Sequence, residues 1–178
     1  FTLKLSPLLF FRGARDAMLV AFSTSSSLAA LPVSMSVAEE KLGIKPVVAS
    51  TVLPLGATIN MDGTALYVGI VSVFAAQAFD IPLSLTDYLL IAGSTTLVSV
   101  GTAAVPGASI FLMSAVRDTI GMAPEQIGLV IGFIFAIDRP LDMLRTSVNV
   151  AGDLSVSTAV ANWEGEFDRE IFDRKLKV

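Results

Sequence analysis

Residues 138–153 read DRPLDMLRTSVNVAGD, and our interpretation of the whole chain starts from this stretch. On a helix at about 100° per residue, its polar side chains fall on a stripe only about 80° wide. That stripe contains Asp138, Asp142, Arg145, Asn149 and Asp153, with Thr146 at its edge. Leucine, valine and other less polar residues occupy the remaining faces. The spacing therefore predicts one helix that carries a single line of charged and amide groups on an otherwise apolar surface.

The composition indicates what surrounds that line of polar groups. The chain of 178 residues is 53% hydrophobic and 16% charged, whereas a soluble domain has about 25% charged residues. Asp62 is the one charged residue between Pro46 and Gln77, and none occurs between Tyr88 and Val116. A helix needs only about 20 apolar residues to cross a membrane. We therefore predict an all-α polytopic membrane protein in contact with the lipid bilayer, rather than a soluble domain.

The residue types that are missing exclude several kinds of chemistry. The chain contains no cysteine and no histidine, which excludes disulfides, cysteine nucleophiles, histidine bases and the usual zinc sites within it. Without a nucleophile–base set, an enzyme is disfavoured. A net charge of −4 without a basic cluster argues against nucleic acid as a partner. The chain begins at Phe1 with no visible signal peptide, as a fragment would.

Two pairs of short apolar runs predict helical hairpins that enter the membrane and return. The first hairpin, about 12–42, breaks at the serine-rich segment 23–27. The second, about 86–121, breaks at 100–109, which contains glycines and a proline. Each run is shorter than the ~20 residues that a span needs. Such breaks are tolerated at membrane depth only where they are buried in protein or line a cavity. The alternative for the first break is a loop between amphipathic helices.

Each hairpin is followed by a long apolar helix with a polar interruption, at about 46–79 and about 124–162. The first of these helices is interrupted at 56–64. There, Asp62 would cost roughly 2.5–3.5 kcal/mol in a bilayer, so we take it as a functional residue. Carboxylate and amide oxygens beside unwound backbone are suited to a hard monovalent cation.

The two halves of the chain also resemble each other. Setting Pro32 over Pro106 aligns Ala29–Pro32 with Ala103–Pro106, and the order of hairpin and long helix repeats as well. Paired interrupted segments at matching positions are typical of transporters built as inverted repeats, with the binding site between the halves. The pattern therefore favours a transport domain over an enzyme.

The distribution of lysine and arginine predicts the orientation. If both hairpins return and both long helices cross, the two chain ends share one side of the membrane. That side carries Arg12, Arg15, Lys41, Lys45, Arg169, Arg174, Lys175 and Lys177, and the other side carries Arg117 alone. By the positive-inside rule the first side is cytoplasmic. Residues 163–178, which begin with the interfacial Trp163, are then predicted to form an exposed, charged cytoplasmic tail.

Four motifs in this order resemble a known family. They are Ser25–Ser27 before Leu31–Pro32, Asn60–Thr64, Gly101–Thr102 with Val105–Gly107, and Asp142 through Asp153. Along nearly its whole length the chain is similar to the dicarboxylate/amino acid:cation symporters, the glutamate transporter homologues. The resemblance implies that residues 1–162 are the transport-domain portion of such a protein. It also implies a homotrimer in the cell membrane, whose N-terminal scaffold helices are missing from this chain.

The same resemblance implies how an acidic amino acid is bound. The substrate-binding residues would be Ser26, Ser27, Thr64, Val105, Ser109, Asp142, Arg145, Thr146 and Asn149. Ser27 and Asn149 would hold the α-carboxylate. Asp142, helped by Thr146, would take the α-ammonium, and Arg145, helped by Thr64, the side-chain carboxylate. Backbone at Val105 and Ser109 would close the second hairpin over the substrate.

Sodium is the cation that the resemblance implies. One sodium site would use Gly56, Asn60, Asn149 and Asp153, and a second would use backbone carbonyls of Thr58, Ser99, Val100 and Thr102. A third would combine Asn60 and Asp62 with residues outside this chain. Related proteins use protons instead, so the choice between sodium and protons stays open.

The chemistry of the polar stripe agrees with these roles. Arg145 offers a planar fork for a carboxylate, and Asp142, one turn away, can take an ammonium. That pair would distinguish an acidic amino acid from a plain dicarboxylate, although the two side chains could instead only neutralise each other. Some family members carry a further arginine where this chain has Ser25 or Met143, so any countertransport step that needs it stays open.

We expect cation-coupled symport of aspartate or glutamate by an elevator-type mechanism, with the second hairpin as the gate. Two alternatives remain: a C4-dicarboxylate:cation symporter, and an ion channel module in which the polar stripe lines a permeation path.

Overall fold

The computed structural model describes residues 5–102, 106–107, 112–114 and 117–174, and their regular secondary structure is helical. The helices are α1 (Pro7–Thr24), α2 (Ser27–Glu40), α3 (Pro46–Ile59), α4 (Asp62–Ala78), α5 (Leu85–Val100), α6 (Pro124–Phe135), α7 (Asp138–Glu164) and α8 (Arg169–Asp173), with a 3₁₀ turn at Arg117–Ile120. The predicted all-α class is confirmed for this part of the chain.

The first predicted hairpin corresponds to α1 and α2, which pack against each other and against α7. α1 begins at Pro7, earlier than the expected start near residue 12, because proline at the first helical position needs no amide partner. It ends at Thr24 and is capped by Ser25, which adopts the left-handed conformation (φ 50°) and donates its N–H to the Ala21 carbonyl at 2.8 Å. Ser26 then starts α2 by accepting the Ala29 N–H at 3.2 Å. Whether this hairpin is re-entrant in a membrane stays a prediction.

The predicted interruption of the next long helix falls between α3 and α4. The chain leaves helical geometry at Asn60 and Met61, and α4 starts at Asp62. Among the described residues, Pro46–Ala78 is the stretch that is long and apolar enough to cross a membrane. α5 and α6 are apolar but shorter. The polar break is therefore placed near the middle of the longest apolar segment.

The start of α5 shows why this segment folds locally as it does. Ser84 and Asp87 form a capping box at the start of α5, in which Asp87 accepts from the Ser84 hydroxyl at 2.7 Å and from its N–H at 2.8 Å. These hydrogen bonds lower the pKa of Asp87.

The two prolines that the repeat alignment pairs lie in different local structure, since Pro32 is inside α2 and Pro106 is in a turn. The inverted repeat therefore stays a prediction.

Buried apolar side chains form two clusters, and α7 contributes to both. The first cluster joins α1, α2 and α3 to the C-terminal half of α7 through Val150 and Leu154. The second joins α4, α5 and α6, and Leu141 of α7 packs against it. The polar line of α7 is therefore held where the two cores meet.

The prediction of an exposed tail is wrong for part of residues 163–178. Trp163 is 71% exposed, as expected, but Phe172 is only 2% exposed and belongs to the first cluster. Phe167 forms an isolated antiparallel bridge with Ile44 and packs against the same cluster. The many charged residues of the segment gave no sign that these two phenylalanines would pack inside. Their packing brings the chain back onto the base of the first hairpin.

Candidate functional site

The polar line predicted on residues 138–153 forms one buried face of α7. Asp138, Asp142, Arg145, Asn149 and Asp153 are each no more than 7% exposed. Thr146, at the edge of the stripe, is also buried, and its hydroxyl donates to the Asp142 carbonyl at 2.8 Å. Buried charges are costly unless they are paired or bind a ligand. The partners of each group therefore decide what this face can do.

Asp142 is held by contacts to both of its carboxylate oxygens. Arg145 Nη2 lies 2.6 Å from Oδ1, and the Gly107 N–H donates to Oδ2 at 2.9 Å. Arg139 Nη1 is farther away, at 3.8 Å. The Asp142–Arg145 pair is thus the internal ion pair considered as an alternative from the sequence. A ligand that uses either group has to share or replace these contacts.

Arg145 is also fixed from α4. Tyr67 donates its hydroxyl to Asp138 Oδ1 at 2.8 Å, and the same oxygen lies 3.5 Å from Arg145 Nη1. The guanidinium carbon sits 4.4 Å from the centre of the Tyr67 ring, a cation–π distance. Tyr67 and Asp138 therefore orient the guanidinium from two directions, which reduces the ordering cost of binding a carboxylate.

Asn149 joins α7 to the start of α4. Its Oδ1 accepts the Gly63 N–H at 2.8 Å, and its Nδ2 lies 3.3 Å from Met61 Sδ and 3.4 Å from Thr64 Oγ1. The Gly63 amide is one of the unpaired donors at a helix start, so Asn149 caps α4 from another helix. A Cβ at Gly63 would collide with the Arg145 carbonyl, so glycine permits this close approach.

A second polar group surrounds the break between α3 and α4. Asn60 donates its amide to Asp153 Oδ1 at 3.0 Å, and a Cβ at Gly56 would lie 2.6 Å from the same oxygen. Asp62 approaches Gly152 of α7 in the same way, with Oδ2 2.6 Å from the place of a Cβ. Carboxylates, a side-chain amide and interrupted backbone form a donor set that fits a small hard cation.

The structure brings together Gly56, Asn60, Asp62, Thr64, Asp142, Arg145, Thr146, Asn149 and Asp153 along α7 and the α3–α4 break. Ser26 caps α2, and Ser27 is buried at its first position. Thr58 donates to the Leu55 carbonyl on an exposed face.

The remaining predicted positions lie on the second hairpin. Ser99 and Thr102 are buried at the end of α5, and Val100 is exposed. Val105 and Ser109 lie outside the described residues.

Several residues of the site were not singled out from the sequence. Tyr67 lies in an apolar run, where an aromatic residue predicts only packing. Its spacing of three residues from Thr64 is the signal that could have placed it on the same face of α4. The sequence places Asp138 on the polar stripe but predicts no role for it. Gly107 contributes its backbone N–H, and sequence pattern carries no signal for a backbone donor.

Comparison with known proteins gives one family match. Residues 1–163 match the model of the sodium:dicarboxylate symporter family. Three relatives illustrate the similarity. The putative sodium-dependent excitatory amino acid transporter glt-4 of Caenorhabditis elegans is 44% identical over 87% of this chain and 30% of its own length. Human excitatory amino acid transporter 2 is 42% identical over 83% of the chain and 25% of its own length. Human excitatory amino acid transporter 5 is 37% identical over 99% of the chain and 31% of its own length. The chain therefore spans less than a third of these relatives.

Proposed function

The chain belongs to the sodium:dicarboxylate symporter family, and on that premise we propose that it forms the substrate- and cation-binding part of a membrane transporter for an acidic amino acid. Aspartate or glutamate would cross together with sodium ions. The observation that carries this proposal is the buried line on α7, where Asp142 and Arg145 lie one turn apart beside Asn149. The relatives named above are sodium-dependent or excitatory amino acid transporters.

The charges of the buried line match the charges of an acidic amino acid. Arg145 can bind the side-chain carboxylate in two parallel hydrogen bonds, and Tyr67 and Asp138 already orient it. Asp142 can bind the ammonium, and Asn149, Ser26 and Ser27 can bind the α-carboxylate. When substrate binds, the contact between Asp142 and Arg145 would be replaced by one contact from Asp142 to the ammonium and one from Arg145 to the side-chain carboxylate. Neither buried charge would then be left without a partner.

Sodium would bind as a second substrate at the break between α3 and α4. Asp153 supplies a buried carboxylate, and Gly56 lets this carboxylate approach the backbone of α3 closely. Asn60, whose amide nitrogen donates to Asp153, would turn its amide oxygen toward the bound cation. Asp62, Thr58, Ser99, Val100 and Thr102 are proposed for further cation sites. Protons remain the alternative coupling ion.

The proposed transport cycle is of the elevator type. Residues about 12–42 and 86–121 would be re-entrant hairpins, residues about 46–79 and 124–162 the two interrupted spans, and the second hairpin the gate. The Gly107 N–H bonded to Asp142 supports that gate, because it links the hairpin to the substrate-binding face. Both chain ends would be cytoplasmic, in a cell membrane homotrimer completed by scaffold helices.

A C4-dicarboxylate such as succinate is the second candidate substrate. Both Asp142 oxygens have partners within the protein, so this carboxylate can be neutralised without a substrate ammonium. A dicarboxylate would then bind through Arg145 alone. Competition between aspartate and succinate distinguishes the two substrates.

Uptake of radiolabelled aspartate into proteoliposomes tests the proposed function in the complete protein. Sodium and proton gradients are imposed separately, with equal membrane potential. We expect saturable uptake that a sodium gradient drives and excess unlabelled aspartate blocks. Passive conductance without saturation would instead indicate a channel, and uptake driven by protons alone would contradict sodium coupling.

A further inference from the structure

A contact between the end of the chain and the base of the first hairpin has no role in the proposed binding site. Residues 43–45 pair with residues 166–168, and we call this pairing, together with Phe172, the clasp. The Lys45 N–H donates to the Glu166 carbonyl at 3.0 Å, and the Asp168 N–H to the Gly43 carbonyl at 2.7 Å. The clasp therefore fastens the segment between α2 and α3 to the segment that follows α7.

Packing and conformation make the clasp specific. Phe172 is 2% exposed in the first hydrophobic cluster, together with Leu42 and Ile44. Gly43 has φ +73°, and a Cβ there would collide with the Asp168 carbonyl. A left-handed glycine against a backbone carbonyl leaves no room for another residue at this position. Lys45 adds an ion pair to Glu166 at 2.8 Å.

The clasp is also joined to α1. Leu42 lies so close to Gly13 that a Cβ there would be 2.6 Å from Leu42 Cδ2, and Lys41 pairs with Asp16. Farther from the clasp, in the middle of the two helices, the Ser147 hydroxyl of α7 donates to the Met18 carbonyl of α1 at 3.0 Å. The first hairpin is thus held to α7 at two levels, near its middle and at its base.

We propose that the clasp holds the base of the first hairpin against the segment that follows α7, and that this contact stays closed throughout transport. The C-terminal segment is then an internal fastening rather than a free tail. The claim that the clasp stays closed during transport rests on the proposed function. The physical claim is that removing the clasp loosens the first hairpin and leaves the second cluster unchanged.

Cross-linking tests whether the clasp stays closed. The two hydrogen bonds flank the Ile44–Phe167 pair, which is therefore a non-hydrogen-bonded pair with Cα atoms about 4.5 Å apart. That separation is compatible with a disulfide. In the complete protein without other cysteines, Ile44→Cys with Phe167→Cys should cross-link on mild oxidation, and aspartate uptake should persist. Failure to cross-link contradicts the pairing, and uptake lost on oxidation and restored by reduction contradicts a permanent fastening.

Thiol labelling tests the mechanical role without requiring transport. Ala30→Cys reports on α2 in the first cluster, and Ala75→Cys reports on α4 in the second, since both alanines are fully buried. We expect Phe172→Ala to increase maleimide labelling at position 30 by about tenfold or more, while labelling at position 75 is unchanged. Phe135→Ala, where the ring is 72% exposed, is the matched control and should change neither.

The remaining outcomes separate the two proposals. Unchanged labelling at position 30 in Phe172→Ala would show that the clasp does not hold the hairpin, and equal increases at both positions would show that it holds the whole fold. A wild-type protein that fails to take up aspartate contradicts the proposed function, while the labelling and cross-linking results still decide the clasp.

Discussion

Arg145 and Asp142 face each other across one helical turn, with 2.6 Å between Nη2 and Oδ1, and both are buried. Without substrate, the two residues neutralise each other. In the proposed function, the same two charges would each bind a group of opposite charge on the substrate. Breaking a buried pair by removing one member costs on the order of 3–5 kcal/mol. A zwitterionic substrate with a second carboxylate could replace the pair without leaving either charge alone, which is the proposed basis of a preference for acidic amino acids.

The close approach of α4 to α7 predicts that Gly63→Ala destabilises the protein. The new Cβ would meet the Arg145 carbonyl, a backbone atom that cannot turn away. Overpacking typically costs about 1–3 kcal/mol, and the Gly63–Asn149 hydrogen bond would be strained as well. Thermal unfolding of the purified protein should show a lower midpoint. Gly128→Ala is the control, because nothing lies within 4 Å of its Cβ position. Equal midpoints for the two variants would contradict the contact.

The capping box at α5 predicts a pH dependence. In the predicted topology the helix at about 46–79 crosses the membrane, so Asp87 begins the second hairpin at the surface opposite the chain ends. Its hydrogen bonds with Ser84 hold its pKa below the ordinary value of 3.8. A carboxyl whose folded-state pKa is lowered stabilises the fold above its unfolded pKa, and loses that effect as the pH falls through the folded value. Asp87→Asn should therefore lower the unfolding midpoint at neutral pH and have less effect in acid. In a Ser84→Ala background, which removes the hydroxyl but keeps the backbone N–H that also donates to Asp87, Asp87→Asn should lower the midpoint by less. A pH-independent effect would contradict this origin.

The sequence was sufficient for the helical class and the buried face of α7, because one periodicity determines both. It also predicted an interruption within residues 56–64, where the structure has the break at Asn60 and Met61, since an acidic residue inside an apolar run is costly unless the chain uses it. It could not show that Asn149 caps α4, because that hydrogen bond depends on how two helices meet. The burial of Phe172 was missed for a similar reason: charged neighbours dominate the local pattern, and its partners Leu42 and Ile44 are distant in sequence.

The buried carboxylate beside Asn60 predicts that Asp153→Asn weakens sodium coupling. The substitution keeps the size of the side chain and removes the charge that would offset the dehydration of a cation. We expect the sodium concentration for half-maximal aspartate binding to rise by about tenfold or more, which corresponds to ~1.4 kcal/mol. Glu125→Gln, on the exposed first turn of α6, is the control. Unchanged sodium dependence in Asp153→Asn would rule out Asp153 as a cation ligand.

Substrate choice gives the sharpest test of the Asp142–Arg145 pair. Arg145→Ala removes the group proposed to bind the side-chain carboxylate, so aspartate and succinate should lose several kcal/mol of binding, on the order of 3–5. Serine, which has no such carboxylate, should lose little. Asp142→Ala should weaken aspartate and serine through their ammonium and spare succinate. Binding of all three compounds is measured by calorimetry on the complete protein.

Arg139 provides the control for the Arg145→Ala and Asp142→Ala variants. Arg139 is also near Asp142, at 3.8 Å, but its side chain is 58% exposed, so Arg139→Ala should leave the order of the three affinities unchanged. If Arg145 and Asp142 only neutralise each other, both single variants should lose stability and weaken all three compounds alike. The double variant would then recover stability, since no buried charge of that pair remains. Opposite effects of the two single variants on serine and succinate can arise only if each charge contacts a different group of the substrate.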